Sequence, residues 1–187
     1  MQKRRPAVWW LVPAVLSLAL LLASCQGSWP RRDPTGEPFP TVEGTSLAGD
    51  AVVLPTAFAG APLLLLVGYE QEAQFDLDRW LLALDQVGWR VRTFEVPTLP
   101  GLFPRLLAGT IDGGMRRGIP QEDWASVVTV YGDAAAIAAF TGDDDGLTGR
   151  VLLLDGTGRV VFHHDRGFSV GALKALQAAV AKLGTGG

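Results

Sequence analysis

The stretch LLLLVGYEQEAQFDLDRW, Leu63 to Trp80, decides how this 187-residue chain folds. Its first part, Leu63 to Tyr69, is an unbroken apolar run, the pattern of a strand covered on both faces by other layers. Its second part, continued to Val87, sets Phe75, Leu77, Leu81, Leu82, Leu84 and Val87 largely on one side of a helix, with Asp76, Asp78, Arg79 and Asp85 opposite. A buried strand running into an amphipathic helix is the unit of an α/β protein. In many α/β enzymes the turn between the two holds a nucleophile or a phosphate loop. Here it reads Glu70, Gln71, Glu72, Ala73, Gln74, with no Cys, Ser, His or Gly.

Working outward, Thr45 to Leu54 reads as a hairpin turning at Ala48, Gly49 and Asp50, followed by a Gly/Pro/Ala loop from Pro55 to Pro62. Gly88 ends the helix, and Trp89 to Val96 alternates as an edge-type strand. Leu102 to Ile111 predicts a short helix with Pro104 in its first turn. Asp112 to Trp124, DGGMRRGIPQEDW, reads as irregular because it is rich in glycine. Val127 to Tyr131 is a second buried strand, Asp133 caps an alanine-rich helix to Phe140, and Gly142 to Gly149 is an acidic turn. Arg150 to Asp155 and Arg159 to His164 are strands joined by DGTG, and Ser169 caps a last helix striped by Leu173, Leu176, Val180 and Leu183. Hairpin, then β, α, β, α, β, α, β, β, α predicts a largely parallel mixed sheet with helices on both faces and an antiparallel edge.

The start of the chain is of another kind. Lys3, Arg4 and Arg5 precede an apolar run, Ala7 to Ala23, that ends in Leu22, Ala23, Ser24, Cys25. This is the layout of an export signal. The run is interrupted by Pro13 and stands at the short limit for a membrane-spanning helix, which needs about 17–25 residues. LASC resembles the lipobox of bacterial lipoproteins, and the resemblance implies that residues 1–24 are removed and that Cys25 carries the acyl chains. The protein is then expected in the cell envelope, lipid-anchored to a membrane outside the cytoplasm. Residues 25–40, with four prolines, read as a tether lifting the domain off the bilayer, with Trp29 either in the interface or idle. The domain itself is expected over residues 41–184, with 185–187 as a tail.

Cys25 is the only cysteine, so an acylated Cys25 leaves a mature protein with no disulfide, thiol couple or thiolate metal site. Removal of the leader takes formal charge from −3 to 13 − 19 = −6, since Lys3, Arg4 and Arg5 leave with it. An acidic domain is a poor match for nucleic acid.

The runs GEPFPTVEGTSLAGDAVVLP, LLLLVGYEQEAQFDLDRWLLAL and GRVLLLDGTGRVVF together resemble a thioredoxin-like domain of the peroxiredoxin-related kind, over about Gly36 to Leu183. In that family the redox cysteines follow the first central strand, at the position of Glu70 to Gln74, and a cis-proline precedes the next-to-last strand, at the position of Leu147 to Arg150. Neither residue type is present here. IDGGMRRGIP followed by VVTVYGD is similar to the cysteine-less thioredoxin-like assembly factors of mitochondrial ATP synthase, which implies a role in holding unassembled membrane subunits.

Other constellations are weaker. His163 and His164 are neighbours on a strand, point to opposite faces and cannot share a metal within it. Asp143 to Gly146 has consecutive carboxylates and no distal glutamate, unlike a calcium loop. Glu70 and Glu72 have no histidine or serine beside them in sequence to complete acid–base chemistry. No cofactor fingerprint is present. Arg116, Arg117 and Trp124 remain, of the types enriched in binding hot spots. The plain reading packs Trp124 on the core and solvates the arginines; the functional one joins them to Tyr69 as a surface for a protein partner or a small ligand.

Overall fold

The computed structural model describes residues 29–144 and 146–184. The leader, Cys25 and Asp145 lie outside them. Seven strands, β1 (Val42–Ser46), β2 (Ala51–Leu54), β3 (Leu63–Gly68), β4 (Arg92–Pro97), β5 (Val128–Thr129), β6 (Arg150–Leu154) and β7 (Val160–His164), are interspersed with five α-helices among the described residues. The helices are α1 (Gln74–Gln86), α2 (Leu102–Leu106), α3 (Ala108–Gly118), α4 (Ala134–Thr141) and α5 (Val170–Gly184).

The strands run in the order β2-β1-β5 and β4-β3-β6-β7. Parallel bridges Glu95 to Val127 and Thr98 to Val130 join the two sets through β4 and β5. The centre is where the sequence placed it: the side chains of β3 are buried from Leu63 to Val67, and alternate ones serve opposite cores. Leu63, Leu65 and Val67 pack with α4 and the hairpin; Leu64 and Leu66 pack with α1 and α5. Each such burial is worth roughly 2 kcal/mol. Helices thus cover both faces of a mixed sheet, as expected.

The sheet is less parallel than the alternation of strands and helices implied. Beside the parallel β3–β4 pair, β6 and β7 are antiparallel, as are β1–β2 and β1–β5. The reason is that β6 enters from the end where α4 finishes, so it runs back along β3.

Four local expectations change. Phe75 and Leu82 are exposed, and the buried stripe of α1 is Asp76, Leu77, Trp80, Ala83 and Leu84. The edge strand begins at Arg92, because Gly88 and Trp89 close the helix by bonding back to Asp85 and Leu84. The supposedly irregular Asp112 to Gly118 is the second half of α3, despite the helix penalty of about 1 kcal/mol for each glycine. Tertiary bonds outweigh that cost: Tyr131 Oη donates to Asp112 Oδ1 at 2.7 Å and Arg116 Nε to Leu47 O at 2.7 Å. Asp133 does not cap α4 with its side chain but accepts the Glu43 N–H at 2.8 Å; Ser169 does cap α5, through Ala172 N.

The described part of the expected tether, Trp29 to Pro40, is not a free spacer. Trp29 and Asp143 exchange two backbone hydrogen bonds, 3.3 and 2.9 Å, and Gly36 N donates to Val160 O at 2.8 Å. Phe39 is a core residue, meeting Phe140 edge-on at 5.5 Å. The folded unit therefore begins at Trp29 at the latest, not at residue 41. Composition misled here because proline fixes the arm extended, which suits docking along an edge as well as it suits a spacer.

Candidate functional site

The candidate site lies at the carboxyl end of β3. Beyond Gly68, Tyr69 turns inward and is buried, Glu70 is exposed, and a single 3-10 turn, Gln71–Ala73, leads into α1. No thiol lies within the described residues. No proline precedes β6, and the cis peptide among the described residues is Leu54–Pro55, at the far end of β3.

What fills the region is a fully buried arginine. Arg150, the first residue of β6, has no exposed surface. Its Nε donates to Gly142 O at 3.2 Å, one terminal nitrogen to Thr148 O and Oγ1 at 2.6 and 3.0 Å, and the other to Asp144 Oδ1 at 3.1 Å. The guanidinium stands 5.8 Å from the centre of the Tyr69 ring. Tyr69 Oη is bonded to Thr141 Oγ1 at 2.5 Å, which donates in turn to Ile137 O at 3.2 Å. Burial pushes the Tyr69 hydroxyl above its ordinary range, so it stays a neutral phenol.

Asp144 also accepts from Arg31 Nε at 3.0 Å, and Arg31 lies 3.4 Å from Asp165 Oδ2. Desolvation would raise the Asp144 carboxyl, but the hydrogen bond from Arg31 and the charges of Arg31 and Arg150 together hold it below the usual carboxylate range. Behind this network, Asp76 of α1 accepts Gly149 N at 3.1 Å and Phe168 N at 2.6 Å, fixing the approach to β6 and to α5 at once. Gly149 must be glycine for that approach, because a Cβ there would lie 2.1 Å from Leu77 Cδ2.

These donors are spent on the protein itself. Arg150 is held by backbone and by Asp144, the tyrosine is neutral, and Glu70 and Glu72 are exposed with no histidine or serine beside them in the chain. The cluster orders the α4–β6 loop and the N-terminal arm. Asp144, the described centre of the acidic turn, is paired with two arginines, which disfavours a cation there; among the described residues no group of three or more His, Cys, Asp or Glu converges on a metal position.

His163 and His164 do face opposite ways. His164 lies with Phe162 and Trp80 and hydrogen-bonds Gly167 O, while the His163 side chain is buried with Nδ1 at 3.6 Å from Asp33 Oδ1. Burial lowers the His163 imidazole against the pull of Asp165 and Asp33.

The expected surface of Tyr69, Arg116, Arg117 and Trp124 divides. Tyr69 lies past the carboxyl end of β3; Trp124 precedes the amino end of β5, which runs parallel to β4, so the two sit at opposite ends of the sheet. Arg116 stacks over Trp124 at 5.8 Å, and the Trp124 indole donates to Ile119 O at 3.0 Å, so both pin α3 and its exit loop. Arg117 is exposed. Among the described residues Tyr69 and Trp124 therefore do not share one end of the sheet. A shallow cavity of about 60 Å³ by Pro55, Phe58 and Asp155, at the amino end of β3, has room for only a few waters.

Sequence reasoning passed over Arg150, Asp76, Asp144 and Thr141. The one signal was an arginine leading the apolar strand RVLLL, an expensive position for an unpaired charge.

No family model matches the sequence, and no curated protein matches it. Among solved structures the chain is similar to BsSco, a member of the Sco family of cytochrome c oxidase assembly proteins, with a TM-score of 0.55 and 12% identity, covering 81% of this chain and 96% of that one. It is also similar to the thiol peroxidase from Chromobacterium violaceum, with a TM-score of 0.50 and 15% identity over 83% and 90% of the two chains. A third is the pneumococcal exposed lipoprotein thioredoxin Etrx1 from Streptococcus pneumoniae strain TIGR4, with a TM-score of 0.50 and 12% identity over 76% and 99%. These likenesses establish a thioredoxin-like fold.

Proposed function

We propose that the protein is a bacterial lipoprotein, held by acyl chains on Cys25, whose thioredoxin-like domain has no redox role and acts as a binding or assembly module for an envelope or membrane protein. The observation that carries this reading is the replacement of a thiol turn by Glu70 to Ala73, backed by Arg150 and Tyr69 whose polar groups are all engaged within the protein. A fold kept in full while its reactive position is filled with internal bonds is suited to recognition.

The anchor rests on the LASC motif and the basic, apolar leader before it. Two structural neighbours add precedent for the fold in such settings: BsSco belongs to a family of assembly proteins, and Etrx1 is an exposed lipoprotein. Arg117, exposed on α3, is the member of the original surface free of a structural task and so the residue to probe.

The test is crosslinking in intact cells, extraction in mild detergent and mass spectrometry of what accompanies the protein, with Arg117→Glu in parallel. A discrete membrane complex supports the reading, and its weakening in the variant places the partner on α3. Catalytic turnover of a thiol substrate or a peroxide by the purified protein refutes it.

A further inference from the structure

Four side chains that a soluble domain would normally cover stand together in one segment. Leu102, Phe103, Leu106 and Leu107 are 67, 72, 70 and 54% exposed. The segment follows β4, so it leaves the sheet at the carboxyl ends of the parallel pair β3 and β4. Phe75, 71% exposed at the start of α1, and Leu147, 53% exposed just before the antiparallel β6, lie at that same end. Of the other exposed large hydrophobic side chains among the described residues, Leu82 lies further along α1, Val87 just past its end, and Val170 opens α5. Such clustering marks an interaction surface rather than scattered exposure.

The N-terminal arm says what covers it. Asp143 stands between the end of α4 and the start of β6, at this same end of the sheet, and its backbone pair with Trp29 fixes the arm there. Only three residues, Gln26, Gly27 and Ser28, separate Trp29 from Cys25, a reach of at most about 14 Å for an extended chain. A lipid on Cys25 would be confined within that reach of Trp29 and could not carry the domain far from the bilayer. The mature chain's charge of 13 − 19 = −6 leaves no net attraction to anionic headgroups, so the contact is apolar.

We infer that the carboxyl end of the sheet is a membrane-contact surface, with Leu102, Phe103, Leu106 and Leu107 seated in the interface of a neutral phospholipid bilayer beside the lipid anchor. This rests on the acylation of Cys25 proposed above. Side chains of this kind enter the headgroup boundary to a depth of about 5–10 Å.

Acylation of Cys25 leaves no free thiol, so Phe103→Cys creates a unique site for a nitroxide label, and Leu82→Cys gives the control. The full-length lipidated protein is placed in phosphatidylcholine vesicles, and collision of each label with oxygen and with a water-soluble nickel chelate is measured. A several-fold higher oxygen-to-nickel ratio at position 103 than at 82 is the expected result. Equal, water-like ratios in protein whose N-terminal peptide carries acyl chains by mass overturn the surface alone. An N-terminal peptide without acyl chains overturns the anchor itself. Protection of the position-103 label in native membranes but not in protein-free vesicles assigns the face to a protein and overturns the bilayer assignment.

Discussion

Arg150 lies over the ring of Tyr69 at 5.8 Å, and the two close the space between the end of β3 and the start of β6. The arginine is the larger contributor, because its removal strands the carbonyls of Gly142 and Thr148 in a buried site. Arg150→Met is expected to lower stability by about 3 kcal/mol, and Tyr69→Phe by about 1 kcal/mol. In a double-mutant cycle read by urea denaturation the two effects should be less than additive; strict additivity would remove the coupling between them.

Asp76 ties α1 to two backbone N–H groups from separate segments. Its replacement by alanine leaves both unpaired and is expected to cost roughly 2–4 kcal/mol, with Asp76→Asn closer to wild type. Faster amide hydrogen exchange at Gly149 and Phe168 in the alanine variant is the direct check; unchanged exchange would assign those amides another partner.

Acid should weaken the fold through His163. Its folded-state pKa is held below the ordinary 6.5 by burial, so the native state prefers the neutral ring. The stabilisation is complete above the unfolded-state value and is lost as pH falls through 6.5 toward the folded-state value. The thermal midpoint should drop on acidification across that window, and His163→Gln should flatten the drop. Parallel slopes for both proteins would locate the acid sensitivity elsewhere.

Gly142 permits the arm to dock. Its φ is +74°, and a Cβ there would meet Pro30 O at 2.5 Å and the Arg31 Cα at 2.8 Å, which are backbone atoms with little freedom to move. Gly142→Ala is expected to cost about 1–2 kcal/mol from the positive φ alone. Displacement of the arm should show as new tryptic cleavage after Arg31 and Arg32. A variant as resistant to trypsin as wild type would mean that the arm does not depend on this contact.

The centre of the fold was legible because β3, and β6 after Arg150, are unbroken apolar runs and because capping residues such as Gly88 and Ser169 act locally. What escaped were features decided by partners far along the chain. Asp76 looked like a solvent-facing helix carboxylate until two amides from residues 149 and 168 were brought to it. The helical Asp112–Gly118 violates local propensity and is held by Leu47 and Tyr131. Arg150 at the head of an apolar strand was visible, but the acceptors that make it tolerable belong to a loop whose path no local pattern specifies. Of the surface expected from Tyr69, Arg116, Arg117 and Trp124, residue type predicted burial and stacking better than it predicted a shared face.

The docked arm also determines how the domain would carry tension. Were Cys25 anchored by a lipid, as proposed, a pull on it would reach the fold first at the Trp29–Asp143 pair, then at Arg31 on Asp144 and Asp165, then at Gly36 and Glu37 on Val160 and at Phe39 on Gly158. These links are met one after another, so they peel in sequence instead of sharing the load. The arm would release in steps and lengthen the leash before the central strands felt any force.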